Sequence, residues 1–130
     1  MGDLNYRLNT TYTEMTNVKE QAIPMIPNYD QLTISRKQGN FPLYEEPKID
    51  FLPSYKMEKG RLEYVNKKNQ APSYCDRVLY RNNSCLEITE DYYRCLDTVY
   101  GSDHRPVALC FTVKDFFKTG NFYEIDRLFD

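Results

Sequence analysis

The sequence has 130 residues, which is enough for one domain with a modest hydrophobic core. Its content of 41% hydrophobic and 15% aromatic residues is typical of a folded protein and excludes a disordered chain. The net charge of −2 excludes a global basic field that would attract nucleic acid or anionic lipid, so any phosphate binding must be local.

The cysteines and the apolar runs indicate the cellular compartment of the protein. No CxxC pair and no metal-ligand spacing occurs among Cys75, Cys85, Cys95 and Cys110. Nothing resembling a secretory signal precedes them, so we expect reduced thiols in a cytoplasmic protein. No apolar run approaches the length of a membrane span, so we expect the protein to be peripheral at membranes.

The beginning of the chain is predicted to be a strand end followed by a weak helix. Gly2 opens residues 2–8, where a strand would break into a turn. Residues 13–21 are polar and mixed, which predicts a loose helix that Pro24 and Pro27 would stop.

A better helix is predicted next. Asn28 is a suitable N-cap for residues 29–37, with Asp30 in the first turn and Gly39 just past the end. Repeated prolines then predict extended surface chain over residues 40–56.

The second half of the chain is predicted to be rich in strands. Alternation predicts a short strand over residues 61–65, and a polar loop carrying Lys67 and Lys68 follows over residues 66–71. The other predicted elements are strands over residues 77–80 and 107–113, short strands or loops over 84–89 and 92–98, a turn at Asn82 and Asn83, and a polar corner over residues 102–106. We expect residues 114–130 to be an aromatic-rich C-terminal appendage that caps the sheet or serves in docking.

Three polar clusters hold the candidate functional groups. GDLNYR (2–7), PSYCDRVL (72–79) and SDHRPV (102–107) each place Asp, Asn or Arg beside short apolar runs. The third cluster contains His104, the single histidine of the chain, at the mouth of a predicted strand. A lone histidine is ordinarily a hydrogen-bonded core or surface residue, but three such clusters in a short chain favour an active site.

In this order, the three clusters strongly resemble the signature segments of the inositol polyphosphate 5-phosphatases, which belong to the endonuclease/exonuclease/phosphatase superfamily. NYDQL (28–32) and IDFLPSYK (49–56) resemble further segments of that family. Tyr74 stands where the family usually has Trp, and Ser54 where Thr is commoner. Five ordered motifs make the resemblance specific.

The resemblance implies an α/β fold, an endonuclease/exonuclease/phosphatase-type β-sandwich with flanking helices. It covers residues 1–113, which correspond to the C-terminal half of the catalytic domain. We therefore expect an N-terminal half to be missing, together with the glutamate that holds the catalytic Mg²⁺. Met1 would then mark a cloning or gene-model start or a true truncation, and these alternatives stay open.

The resemblance also implies roles in Mg²⁺-dependent phosphate hydrolysis. Asp3 would orient and deprotonate the attacking water, and Asn5 would hold that water and a phosphoryl oxygen. His104 would donate a hydrogen bond to the scissile phosphate, with its other ring nitrogen held by Asp76. Asp103 would lie beside the metal or its water shell. Arg7 and Arg77 are expected to brace the motif loops, and Arg105 has no assigned role.

A second group of residues would bind substrate. The resemblance implies that Tyr55, Lys56 and Lys68 contact the 4-phosphate of a phosphoinositide head group or a soluble inositol polyphosphate. Gln70 stands where the family usually has an arginine, which removes one charge from this clamp, and Lys67 is a candidate to compensate. Membrane contact would occur through the lipid substrate, and no nucleic-acid partner is expected.

Two other functions remain open at this point. The first is a related nuclease or sphingomyelinase-type phosphodiesterase, which the PSYK and PSYCDRVL segments disfavour. The second is a truncated, non-catalytic phosphoinositide-binding or scaffold fragment. Whichever function applies, we expect the 130-residue chain alone to be inactive, because the Mg²⁺-binding glutamate is missing, and prone to aggregate, because half a sandwich exposes apolar sheet surface.

Overall fold

The computed structural model describes residues 1–82 and 86–115, which form two helices and two antiparallel strand pairs. The helices are α1 (Val18–Tyr29) and α2 (Gln31–Lys37), and the strands are β1 (Gly2–Asp3), β2 (Asp76–Arg77), β3 (Leu86–Cys95) and β4 (Val107–Asp115). β1 pairs with β2, and β3 pairs with β4. No helix in the described part of the chain is long and apolar enough to cross a membrane.

Helix α1 differs from the weak helix predicted over residues 13–21. It begins after its N-cap, Asn17, and continues through both Pro24 and Pro27. The prediction was wrong because packing overrides the local rule: Ala22 is fully buried, and Ile26 packs against the core cluster. The prolines interrupt backbone hydrogen bonding but do not end the helix.

The N-cap predicted for the second helix was also wrong by two residues. Asn28 lies inside α1, and Asp30 caps α2 by accepting hydrogen bonds from the backbone N–H of Thr33 at 2.9 Å and from its hydroxyl at 2.7 Å. Asp30 also ends α1, because its own N–H donates to the Ile26 carbonyl. One residue therefore joins two helices without a loop between them.

The segment over residues 40–56 is only partly the extended surface chain that its prolines predicted, because residues 40–45 are exposed but part of the remainder is buried. It is irregular, but Ile49, Pro53 and Ser54 are buried. Residues 53–57 lie between two other segments. Tyr55 forms antiparallel bridges to Ser73 on one side and to His104 on the other.

The strands also depart from their predicted bounds. No strand forms over residues 61–65, where Tyr64 makes an isolated bridge to Met57. Residues 86–89 and 92–95 of the segments predicted as short strands or loops belong to one strand, β3, with a bulge between Glu90 and Tyr92. A bulge allows the ladder to continue past an irregular pairing, which the alternation pattern does not reveal.

The ends of several predicted elements fall at or beyond the described residues. β2 is shorter than the predicted strand over residues 77–80, and Tyr80 forms an isolated bridge to Glu45. β4 extends the predicted strand over 107–113 to Asp115. Residues 83–85, which include part of the predicted turn and Cys85, and residues 116–130 of the predicted appendage lie outside the described residues. Among the described cysteines, Cys75, Cys95 and Cys110 are free thiols.

Candidate active site

The pairing of β1 with β2 places two carboxylates opposite each other. In this register Asp3 is the Cα partner of Asp76, and Gly2 is the partner of Arg77. The N–H of Leu4 continues the pairing by donating to the Cys75 carbonyl at 2.8 Å. The first two polar clusters therefore meet at the point where β1 ends.

Residues 53–57 bring the third cluster to the same place. On one side, Tyr55 exchanges backbone hydrogen bonds with Ser73 at 3.2 and 2.6 Å. On the other side, Arg105 N–H donates to the Ser54 carbonyl at 2.8 Å, and Met57 N–H donates to the Asp103 carbonyl at 2.9 Å. The PSYK segment (53–56) thus lies between His104 and the middle motif.

Asp3, Asp76 and His104 form a cluster of candidate catalytic groups, which we name the catalytic cluster. One ligating atom from each lies within 4.8 Å of the others. His104 Nδ1 is 2.8 Å from Asp76 Oδ2, and His104 Nε2 is 3.9 Å from Asp3 Oδ2. Because a carboxylate accepts, Nδ1 carries a proton and Nε2 faces the Asp3 side. This places the imidazole between two carboxylates with its outer nitrogen accessible.

Ser54 is a further member of the site, which the sequence showed only as a variation within its motif. Its side chain is buried, and its hydroxyl donates to Asp76 Oδ2 at 2.6 Å. That oxygen also contacts His104, so Ser54 and His104 share one acceptor. Two donors on one oxygen fix the carboxylate plane and hence the imidazole orientation.

Asn5 lies next to Asp3 at the open side of the catalytic cluster. Its backbone has a positive φ of 57°, and its N–H donates to Asp3 Oδ1 at 2.9 Å. Asn tolerates this left-handed conformation better than most residues, because its short polar side chain bonds locally. Asp3 is itself half-exposed, at 50% for its side chain.

Lys56 and Asp103 form an ion pair beside the cluster, with Lys56 Nζ 2.8 Å from Asp103 Oδ2. The hydrogen bond from Lys56 lowers the pKa of the Asp103 carboxyl, and the hydrogen bond to Asp103 raises the pKa of Lys56. Asp103 is not a member of the three-residue group that could share one ion. The structure therefore pairs the predicted metal residue with a predicted substrate residue.

Tyr55 and Lys68, the other predicted substrate residues, have different surroundings. The Tyr55 ring lies 4.4 Å from the His104 ring, between centroids, and Lys56 Nζ is 5.3 Å from the Tyr55 centroid. Lys68 lies in an exposed loop with a φ of 56°, and its ammonium makes no ion pair with a described residue. The structure brings Tyr55 and Lys56 to the cluster but not Lys68 or Lys67.

Comparison with known proteins assigns the chain to a family. Residues 1–110 match the family described as Endonuclease/Exonuclease/phosphatase family 2. The chain is 36% identical over 126 residues to the Xenopus laevis phosphatidylinositol 3,4,5-trisphosphate 5-phosphatase 1. It is 38% identical over 119 residues to the human phosphatidylinositol polyphosphate 5-phosphatase type IV. Each match covers 87% of this chain, but only 12% and 18% of the respective relatives.

Solved structures share the fold. The inositol polyphosphate 5-phosphatase domain of SPsynaptojanin, crystallised with inositol (1,4)-bisphosphate and a calcium ion, is 32% identical and matches with a TM-score of 0.71. That match covers 87% of this chain and 34% of that domain. The ferrous NO complex of Cimex nitrophorin matches at 32% identity with a TM-score of 0.76, covering 87% of this chain and 40% of the nitrophorin.

The nitrophorin match shows that proteins named for different functions share this fold, so function has to be argued from the site. The family itself is settled by the matched residues. The described helices and antiparallel strands are part of the α/β fold that the motifs predicted, and this prediction is confirmed. The chain belongs to the endonuclease/exonuclease/phosphatase family 2 and has inositol polyphosphate 5-phosphatases as its relatives.

Proposed function

We propose that this chain forms part of a Mg²⁺-dependent phosphatase site that removes the 5-phosphate from phosphoinositides or inositol polyphosphates. The catalytic cluster is the observation that carries the proposal, because Asp3, Asp76 and His104 come from three separate motifs and meet within 4.8 Å. The curated relatives named for this activity support it. The lipid substrate would be met at the cytoplasmic surface of a membrane.

Each member of the cluster has a task in attack by water on a phosphate ester. Asp3 accepts a proton from the attacking water, since its Oδ2 accepts no hydrogen bond from another described residue. His104 donates from Nε2 to a phosphoryl oxygen, which requires the imidazolium form, while Asp76 holds Nδ1–H. Asn5 contributes its side-chain amide to the same oxygen or to the water.

The donor set fits a Mg²⁺ ion held partly by this chain. Asp3 belongs to the three-residue group that could share one ion, and Asp103, outside that group, is a partly exposed carboxylate. Carboxylate oxygens are the hard ligands that Mg²⁺ prefers. Asp103 would lie beside the ion or its water shell, in exchange for its contact with Lys56. When bound, the ion supplies positive charge that neutralises the phosphoryl oxygens.

Tyr55 and Lys56 are proposed to bind the 4-phosphate of the substrate. Lys56 Nζ lies beside the cluster, 2.8 Å from Asp103 Oδ2, and its side chain is partly exposed. Its ammonium can therefore pair with a phosphate that reaches the cluster. Lys68 is proposed as a further phosphate contact, for which its loop offers a solvent-accessible ammonium. Membrane contact follows from the substrate in this proposal.

The test is a chimera in which residues 1–110 replace the matching segment of the human type IV 5-phosphatase, because the chain spans only 18% of that relative. We expect the chimera to release phosphate from a short-chain phosphatidylinositol 4,5-bisphosphate in the presence of Mg²⁺. His104→Ala and Asp3→Ala should each lower kcat by about 100-fold or more. Arg94→Lys, on the exposed side of β3, serves as the control and should leave kcat unchanged.

A His104→Ala chimera with undiminished turnover would contradict the proposal. We expect the 130-residue chain alone to show no turnover, since it covers only 34% of the synaptojanin domain and its site is expected to need residues from the rest of the domain. Turnover by the chain alone that His104→Ala abolishes would overturn that expectation and leave the site assignment standing.

A further inference from the structure

Arg7 holds the side chain of Asn5 and pairs with no carboxylate of the described residues. Its Nε and Nη2 both donate to Asn5 Oδ1, at 3.1 and 2.8 Å. Its third nitrogen, Nη1, is buried and has no hydrogen-bond partner among the described residues. Since Nη1 is closed off from solvent, a phosphate reaching the site would not meet this end of the guanidinium.

The contact sets the direction of the Asn5 amide. A guanidinium has donors and no acceptor, so only the carbonyl oxygen of Asn5 can face Arg7. Two donors fill both lone pairs of that oxygen. The amide nitrogen, Nδ2, must therefore point away from Arg7, and it makes no hydrogen bond to any residue in the described ranges. Its two N–H groups remain available to an incoming acceptor.

The backbone of Asn5 cannot hold this direction alone. The backbone conformation is fixed by the positive φ of 57° and by the hydrogen bond from the Asn5 N–H to Asp3 Oδ1, but these contacts do not orient the side-chain amide. The amide plane can still turn about the terminal side-chain torsion, whose distribution is broad and roughly two-fold. Arg7 removes that freedom, because a flipped amide would bring two sets of N–H donors together.

Arg7 is itself held by Tyr55. The guanidinium carbon lies 4.4 Å from the centre of the Tyr55 ring, and the same ring lies 4.4 Å from the His104 ring. A cation over an aromatic face is attracted by the ring quadrupole. Tyr55 therefore connects the group that positions Asn5 with the imidazole of the catalytic cluster.

We infer that Arg7 is a positioning residue that turns the Nδ2 donors of Asn5 toward the phosphate. This inference rests on the proposed function. Arg7 acts through Asn5 and does not touch the substrate. Its positive charge also polarises the amide carbonyl, which strengthens the Nδ2–H donors.

The first experiment tests the Arg7–Asn5 contact independently of activity. In the ¹⁵N-labelled 130-residue chain, at a concentration where sedimentation shows a monomer, the Arg7 Nε–H signal is followed by NMR for exchange with solvent. We expect protected exchange in the unaltered chain and exchange at least about tenfold faster in Asn5→Ala, because the acceptor is gone. Equal exchange in the two chains would overturn the inference, whatever the outcome for the phosphatase proposal.

The second experiment measures binding of inorganic phosphate in the presence of Mg²⁺, followed through the ring signals of His104, the single histidine. Arg7→Lys keeps the charge but cannot place two donors on one oxygen. We expect it to weaken phosphate binding by about tenfold in the unaltered chain and to have almost no effect in an Asn5→Ala background. Arg94→Lys, whose guanidinium lies 4.5 Å over the Tyr92 ring, is the matched control and should change neither.

The results separate the two proposals. Equal weakening by Arg7→Lys in both backgrounds would mean that Arg7 acts directly on phosphate and would overturn the positioning role. Absence of any phosphate binding by the unaltered chain would count against a phosphate site here, and the exchange experiment would then decide the Arg7–Asn5 contact alone.

Discussion

Lys56 and Asp103 influence each other's protonation at the edge of the candidate site. The Lys56 hydrogen bond lowers the pKa of Asp103 from its usual value near 3.8. A lowered pKa in the folded state means that the pair stabilises the fold above that usual value and loses this contribution as the pH falls through the lowered one. Because both side chains are partly exposed, the contribution to stability is small.

Removal of the lysine should therefore be visible in the titration of Asp103. We expect the ¹³C carboxyl signal of Asp103 to titrate with a midpoint below 3.8 in the unaltered chain and to move up toward 3.8 in Lys56→Met. Lys59→Met, in the neighbouring exposed turn, is the control and should leave the midpoint in place. An unchanged midpoint in Lys56→Met would mean that the ion pair does not form in solution.

Ser54 makes a second residue-level prediction, because its buried hydroxyl is one of two donors to Asp76 Oδ2. Ser54→Ala removes the 2.6 Å hydrogen bond and leaves a partly buried carboxylate less satisfied. We expect the free energy of unfolding in urea to fall by about 1–3 kcal/mol. Ser54→Thr keeps the hydroxyl and should lose less, whereas equal losses in the two variants would point to packing alone.

At the scale of elements, Arg77 joins β2 to the helices and to the segment after α2. Its guanidinium donates to both oxygens of Asp30 at 2.9 and 3.0 Å and to both oxygens of Glu46 at 2.7 and 2.8 Å. Burial by itself lowers the pKa of Arg77. The carboxylates of Glu46 and Asp30 raise it by more than burial lowers it, so the guanidinium stays charged. A side chain with 1% exposure thus ties three elements together.

Breaking this buried network should be costly. Arg77→Met leaves the buried Asp30 without its counter-ion and Glu46 with Arg36 alone, at 3.9 Å, and we expect the free energy of unfolding to fall by about 3–5 kcal/mol. Arg94→Met, which removes an exposed guanidinium from the Tyr92 ring, should cost about 1 kcal/mol or less. Urea denaturation followed by circular dichroism measures both, and similar losses in the two variants would show that the Arg77 network adds little.

The same elements show what could be predicted from the sequence. The motifs predicted that Asp76 and His104 would approach, and the structure places them 2.8 Å apart, although their catalytic roles stay predictions. Local rules failed for α1, which runs through Pro24 and Pro27 because the core holds it. The partners of Arg77 could not be predicted from local rules either, since Asp30 and Glu46 are far from it in sequence and only tertiary packing brings them together.

At the scale of the whole molecule, the β3–β4 pair leaves large apolar side chains in contact with solvent. Phe111 and Val113 on β4 are 36% and 48% exposed, and Tyr92 and Leu86 on β3 are 42% and 38% exposed. Within the described residues this pair is a two-stranded sheet that no further strand joins. Exposed apolar surface combined with unpaired strand edges favours association.

We therefore expect the 130-residue chain to self-associate at micromolar concentrations, with a sedimentation coefficient that rises with concentration, because such surfaces are buried by contact between copies. Val113→Lys should weaken this association, since a lysine at this exposed position near the C-terminal end of β4 makes burial of that surface unfavourable. Leu62→Lys, at an apolar residue that is 60% exposed in an irregular segment, is the matched control and should have a smaller effect. A chain that sediments as a monomer throughout this range would show that the exposed apolar side chains of β3 and β4 are tolerated in water, and Val113→Lys would then have no association to weaken.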